Sequence, residues 1–472
     1  MFATEISTFY HKRNFALAWY DNGKVIEQAG NLTNRVLNLQ NEGIKQIPPY
    51  KRILDSLFYN NDPQSSQPDV QLELMLTAQY FLFSKVAWGG MNDSVSTSVN
   101  WYVPRKKVSY GDYLDSLLKA PASQTRVKEP VYRQYELLRA YLRKYRELDM
   151  AESWPPIIYN ARSRKLGDTS ATVQIVKSRL YKFGDYSGDT TSHLFEPGLV
   201  NALKNFQNRY GLTSNGILDR ATCLQLSVPL KKLIQQIIVN MERSRWLPVS
   251  ITGDYISVNI PEFKMHVYHA DSLLWSCDVV VGKSVHQTTV FYGEIKYVVF
   301  SPYWNVPPSI VSKEVIPGIK RNSDYLSKQN MEIIGHSDGL PVVRQKPGNI
   351  NSLGLVKFLF PNSYNIYLHD TPSKYLFGES SRDFSHGCIR IKEPVKLAEF
   401  LLKDRPEWNA GTISQAMHSG KEKYITLKNK VPVFIAYFTA FIDRNNKINF
   451  RKDIYDRDNK LAATIISGNG NY

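Results

Sequence analysis

Cysteine is scarce in this chain: three among 472 residues, Cys223, Cys277 and Cys388. So few thiols, odd in number, exclude a disulfide framework and leave at least one unpaired. Long apolar runs are missing too. The longest, from Val431 to Ile442, is 12 residues and is interrupted by Pro432 and Thr439, whereas a membrane helix needs about 20; no membrane span is expected. The opening Met1-Phe-Ala-Thr-Glu-Ile-Ser has neither a basic stretch nor an apolar one, so an export signal is expected to be absent from this sequence or already removed. Internal repeats and low-complexity tracts are absent as well, which argues against a solenoid or a fibrous protein.

What remains is a globular composition that is basic and rich in aromatics: 43% hydrophobic, 22% charged, with 29 Tyr, 21 Phe and 8 Trp. Such a chain can bury sizeable cores, and its length implies about two to four domains. The net charge of +16 favours a polyanionic partner, whether nucleic acid, anionic lipid or an acidic wall polymer, without choosing among them. The tyrosines come without the Lys/Arg-aromatic motifs of a base-stacking platform, so nucleic acid ranks low.

Apolar spacing divides the chain. Over residues 1–160 it is helical, as in Val131, Tyr135, Leu138, Leu142, Tyr145 and Leu148, which predicts a helical scaffold. Loops are expected at Pro48-Pro49, at Asn60-Asn61-Asp62-Pro63 and at Trp154-Pro155-Pro156, the last a domain boundary. Residues 161–228 carry short helix stripes, one ending at Gly211, and predict a small helical module. Residues 229–250, with Leu230, Leu233, Ile234, Ile237, Ile238 and Met241 on one face, predict a linking helix. From Gly253 the period changes to two, so a β-sheet domain is expected over 251–405, with turns at Gly282 and Gly293. Within it, residues 307–350 read as a polar insertion, either a lid over a site or an ordinary surface excursion. Residues 406–472 are expected to form an extension packing on the scaffold or catalytic domain, with a hairpin around Asp443-Arg444-Asn445-Asn446 that joins the same assembly. The fold class is α+β.

The chemistry is concentrated at Tyr367-Leu368-His369-Asp370-Thr371-Pro372 and at Ser385-His386-Gly387-Cys388-Ile389-Arg390. A thiol nucleophile needs a base, because a free cysteine is only a few per cent thiolate at neutral pH; His369 and His386 are the candidates. Gly387 permits a positive-φ turn that aims main-chain N–H groups at a developing oxyanion. Arg390 supplies positive potential, able to favour thiolate or to hold a substrate carboxylate. Zinc is a weaker reading of Cys388, His369, His386 and Asp370, because closely spaced ligand pairs are lacking. Cys223 and Cys277 read as small buried hydrophobes, and Trp304 reads equally well as core or as site.

His369 followed by Ser385-His386-Gly387-Cys388 resembles the signature of the L,D-transpeptidase (YkuD) catalytic domain. Trp304-Asn305-Val306-Pro307-Pro308, Arg344-Gln345-Lys346-Pro347-Gly348 and Asn351-Ser352-Leu353-Gly354 resemble the large enzymes of the YcbB type. The order Phe206-Gln207, Gly211-Leu212, Asn215-Gly216, Thr222 is similar to a peptidoglycan-binding-like helical module. His386 departs from the YcbB pattern, which often has serine there, and leaves the division of roles between the two histidines open. The resemblance implies a catalytic set of Cys388, His369, Gly387 and His386, and substrate contacts at Tyr367, Ser385, Arg390, Trp304 and Arg344. It implies a cysteine thioester, 3→3 crosslinks between peptidoglycan tetrapeptide stems, no metal or other cofactor, acylation by carbapenem-type β-lactams, and the periplasm. Two alternatives stay open: a carboxypeptidase that trims stems, and a non-catalytic wall-binding protein.

Overall fold

The computed structural model describes residues 2–59, 67–120, 128–151, 153–159 and 164–467. The loop expected at Asn60–Pro63 lies outside the described residues. The chain divides into two compact units, one built from Met1–Asn100, Pro104–Ser250 and Phe438–Tyr472, the other from Trp101–Val103 and Ile251–Tyr437.

The first unit is helical. Asp69 caps the helix Val70–Phe83 by accepting from the Gln71 N–H at 2.8 Å, which satisfies an N–H that the helix itself leaves without a partner. The predicted stripe falls on Gln134–Ala151, where Tyr135, Leu138, Leu142 and Tyr145 are buried. Glu42 is buried beside it and accepts hydrogen bonds from Tyr135, Arg139 and Arg35. Those cations hold its carboxyl down at about 2 against the opposing effect of burial.

In the small module, the helices Ala171–Phe183, Pro197–Arg209 and Arg220–Leu226 pack through Val173, Leu180, Leu203 and Phe206. Gln207 is the knot of this module. Its amide donates to Asn215 Oδ1, Ile217 O and Thr222 Oγ1 and its oxygen accepts from the Gly216 N–H, so one side chain satisfies the polar turn that follows its helix. The helix Leu230–Arg245 is amphipathic only at first; from Val239 to Arg245 every residue is buried.

The second unit is a sheet. Among the described residues, ten strands pair in the order 356–359, 368–369, 389–391, 272–282, 264–269, 254–259, 423–436, 290–300 and 101–102, with 383–385 added alongside 272–282. Strand 290–300 also pairs with 356–359, which closes the path on itself. Val279, Val280 and Val281 are all fully buried, the run expected of a strand covered on both faces.

Two expectations differ from what is observed. Gly293 lies inside strand Val290–Phe300 rather than in a turn; a Cβ there would stand 2.8 Å from the Phe360 ring, so the glycine serves close packing. The tail is divided: Lys423–Ala436 is a long interior strand of the sheet, whereas the hairpin Ala440–Ile442 with Ile448–Phe450 belongs to the helical unit. There Gln134 holds the hairpin by both amide atoms, at 2.8 and 2.7 Å from Ile442 O and N, a long-range tie that local periodicity does not encode.

Residues 304–345 form a substructure of the sheet unit. Strands 304–305, 340–345 and 331–337 pair in that order, and Val306, Val311, Val315 and Val343 give it a small core of its own. No helix among the described residues is long and apolar enough to cross a membrane.

Candidate active site

Strand register assembles the site. Leu368–His369 runs parallel to Ile389–Ile391, with Leu368 opposite Ile389 and His369 opposite Arg390. Side chains alternate between faces, so Tyr367, His369, Cys388 and Arg390 share one face while Leu368 and Ile389 are fully buried on the other.

Cys388 sits on a turn whose shape depends on glycine. Gly387 has φ +115°, a conformation that costs other residues on the order of 1–3 kcal/mol. Ser385 holds the turn: its hydroxyl donates to Cys388 O at 2.5 Å and accepts from the Gly387 N–H at 3.1 Å. Thr288 holds it from the other side, donating to Gly387 O at 2.8 Å. Gly282 is needed for this closeness, because a Cβ there would lie 2.1 Å from His286 O. The Gly387 N–H is therefore engaged by the Ser385 hydroxyl.

The thiol donates to Asn365 O at 3.5 Å. Burial pushes its pKa up; the Tyr367 N–H, the Tyr367 hydroxyl and the Arg390 charge pull the other way. Tyr367 is itself half-buried beside the thiol, and its hydroxyl favours the thiolate form of Cys388. Its ring stands 5.7 Å from the His369 ring, centroid to centroid.

His369 is buried, and its Nδ1–H donates to the carbonyl of Asp370 at 2.5 Å. The Asp370 carboxylate is occupied elsewhere, by the Leu355 N–H and by Lys374. Burial and the neighbouring Arg390 charge push the imidazole down to about 3, although the Asp370 and Leu353 carbonyls favour its protonated form. The ring is thus neutral at physiological pH, with Nδ1 carrying the proton.

The other predicted residues take different positions. His386 faces solvent, with Nε2 3.3 Å from Glu314 Oε1 and its ring 5.2 Å from that of His286; burial lowers its pKa. Arg344 is bound by Glu332 and lies 4.1 Å from the centre of the Tyr303 ring, and no contact ties it to the thiol. Cys223 and Cys277 are buried and pushed up to about 11. Thr288, Asn365 and Glu314 were not legible as site residues: each meets the reactive turn only through tertiary folding. Among the described residues no group of three or more His, Cys, Asp and Glu is arranged to hold a metal.

A closed sheet presenting a thiol, an imidazole, a phenol and a guanidinium on one face, in a chain that also carries a helical unit with its own small module, defines the class of this α+β protein. Residues 253–431 match the L,D-transpeptidase catalytic domain family, YkuD; residues 4–142 match the scaffold domain family; and residues 169–226 match a family described as "Putative peptidoglycan binding domain". The chain therefore carries an L,D-transpeptidase catalytic domain together with a scaffold domain and a peptidoglycan-binding domain. A Haemophilus influenzae protein named "Putative L,D-transpeptidase" is 31% identical over 263 residues, 52% of this chain and 53% of that protein; the match spans about half the length of that curated relative. Solved structures similar in part include an L,D-transpeptidase from Stackebrandtia nassauensis (13% identical, 60% of this chain and 97% of that chain, TM-score 0.24). Another is an L,D-transpeptidase from Mycobacterium smegmatis (11%, 39% and 58%, TM-score 0.21).

Proposed function

We propose that this protein is a cysteine acyltransferase that joins peptidoglycan stem peptides through 3→3 crosslinks. Cys388 attacks the carbonyl between the third and fourth residues of a tetrapeptide stem, His369 takes the thiol proton and passes it to the departing amine, and D-alanine leaves behind a thioester. The side-chain amine of a second stem then displaces the sulfur, its proton returning through His369. The Cys388 N–H and the Tyr367 O–H serve the oxyanion, the hydroxyl turning from sulfur to oxygen as the negative charge moves between them.

The observation that carries this reading is the common face shared by Cys388, His369 and Tyr367, set by the parallel pairing of 368–369 with 389–391. The Asp370 carbonyl on Nδ1 supports it further, because it favours the tautomer whose Nε2 can accept a proton. The wall polymer as substrate accords with the peptidoglycan-binding match and the positive charge, and implies an extracytoplasmic, periplasmic site of action. Carbapenem-type β-lactams are then expected to acylate Cys388. The insertion at 307–350, which reaches His386 through Glu314, serves as a cap over the reactive turn.

Muropeptide analysis tests the reading. Purified sacculi incubated with the protein should yield tripeptide-linked dimers, and Cys388→Ala should yield none. Free tripeptides without dimers would replace crosslinking with stem trimming, and unchanged sacculi would leave only wall binding.

A further inference from the structure

Two tyrosines of the sheet unit leave their rings partly in water beside the nucleophile. Strand 101–102 runs parallel to strand 290–300, with Tyr102 opposite Phe291. The turn 360–366 brings a third ring to the same place: that of Tyr364 lies 4.9 Å from Phe291 and 5.6 Å from Tyr102, inclined to the latter by 31°. Phe291 is buried, whereas Tyr102 and Tyr364 each stay 38% exposed. Partial burial and the Tyr102 phenol beside it both raise the pKa of Tyr364.

The turn that carries Tyr364 is held firmly. The Asn362 side chain accepts from the N–H groups of Tyr364 and Ile366 and donates to the carbonyls of Phe360 and Ile366, so one amide satisfies both ends of the turn. The residue after Tyr364 is Asn365, which is exposed and has φ +54°. Its carbonyl is the one that takes the Cys388 thiol at 3.5 Å. The ring pair therefore stands one residue away from a group in contact with the sulfur.

Chemistry and place together restrict what rests there. The rings are uncharged, and their faces carry negative potential; such faces attract the C–H groups of a sugar, which its oxygens make partly positive. The Asn365 amide, able to donate and to accept, suits sugar hydroxyls at the same rim. In the proposed donor the stem peptide hangs from a sugar, and three residues separate that sugar from the scissile carbonyl, about 10 Å when extended. Tyr364 is one Cα step, about 3.8 Å, from Asn365, and Tyr102 is one ring further out. The pair thus lies within that reach of Cys388.

We infer that Tyr102 and Tyr364 form a sugar-stacking subsite for the glycan residue that bears the donor stem, so that the enzyme recognises its donor as a glycopeptide. This inference rests on the transpeptidase reading above and extends it beyond the peptide. The subsite belongs to the catalytic sheet unit, whereas the peptidoglycan-binding match at 169–226 belongs to the helical one. Stacking is non-covalent, and the bonds made and broken remain those of the acyl transfer. What the sugar adds is position, since anchoring the far end of the stem narrows the arrangements its carbonyl can take above the sulfur.

The test compares a disaccharide-tetrapeptide donor with the same tetrapeptide free of sugar, reading kcat/KM for Cys388 acylation by intact mass. The native protein should prefer the glycopeptide by about 5- to 50-fold, the effect of two ring contacts. Tyr364→Ala should bring the two donors within about threefold of each other, by slowing the glycopeptide more than the free peptide. Tyr364→Phe should keep the preference, because the ring face and not the hydroxyl makes the contact. Tyr102→Ala reads the same ratio should Tyr364→Ala fail to fold. A folded alanine variant that keeps the preference, or that slows both donors equally as a merely structural ring would, overturns the inference; so does a native protein that uses both at one rate. If the native protein were acylated by neither donor, the transpeptidase reading itself would fall, and this inference with it.

Discussion

Replacing Tyr367 with phenylalanine removes one hydroxyl and keeps the ring that packs on His369. That hydroxyl favours the thiolate of Cys388, the charged form being the one a phenolic O–H stabilises by donating to it. A hydrogen bond to a charged group contributes about 1.5–3 kcal/mol, and about 1.4 kcal/mol corresponds to one pKa unit. The thiol of Tyr367→Phe should therefore titrate about one to two units higher than that of the native protein. Below that pKa the thiolate fraction, and with it the alkylation rate, falls about 10- to 100-fold. The assay is the rate of iodoacetamide addition at Cys388 across pH, followed by peptide mass spectrometry. Cys223 and Cys277, both buried and pushed up to about 11, contribute little background. A midpoint that stays in place or moves down would refute the claim that the phenol tunes the sulfur.

Two further outcomes follow from groups held away from their ordinary pKa values. The His369 imidazole is pushed down to about 3 in the folded protein, so between about pH 6.5 and 3 the unfolded chain binds a proton that the native one does not, and stability falls as pH drops through that window. His369→Asn should flatten the slope of unfolding free energy there by about 1.4 kcal/mol per pH unit; an unchanged slope would contradict the buried, neutral ring. Glu42 is the opposite case. Its carboxyl is held at about 2, so its contribution is present above about pH 4.5 and is lost as pH falls towards 2. At neutral pH, Glu42→Gln should cost about 1–3 kcal/mol in urea unfolding, because Arg35 and Arg139 lose one of the two carboxylates they share and keep the other, Glu129.

Local pattern carried much of this protein. The stripe from Tyr135 to Tyr145 and the change of period at Gly253 marked a helical unit and a sheet unit, because amphipathic spacing is written in neighbouring residues. The segments from Tyr367 to Arg390 stood out because a thiol, two imidazoles, a glycine and a guanidinium lie within two short stretches and resemble a family signature, whereas the parallel pairing that sets them in register is a feature of the fold. Partnerships that depend on the tertiary fold were not legible. Gln134 reaching Ile442, Thr288 clasping Gly387, and Glu314 meeting His386 join residues 72 to 308 positions apart. Gly293 misled for a physical reason, since the glycine that permits a turn and the glycine that admits a ring against a strand look alike in a sequence. Arg344 stood out in a motif, yet Glu332 holds it.

The central claim is that the acyl group passes through Cys388. Native protein mixed with a tetrapeptide stem, quenched in acid within the first turnover and weighed intact, should carry the mass of the donor acyl group without its terminal D-alanine. Digestion should place that mass on the peptide containing Cys388. Product that still formed in Cys388→Ala, or an acyl group found on any other residue, would contradict the account.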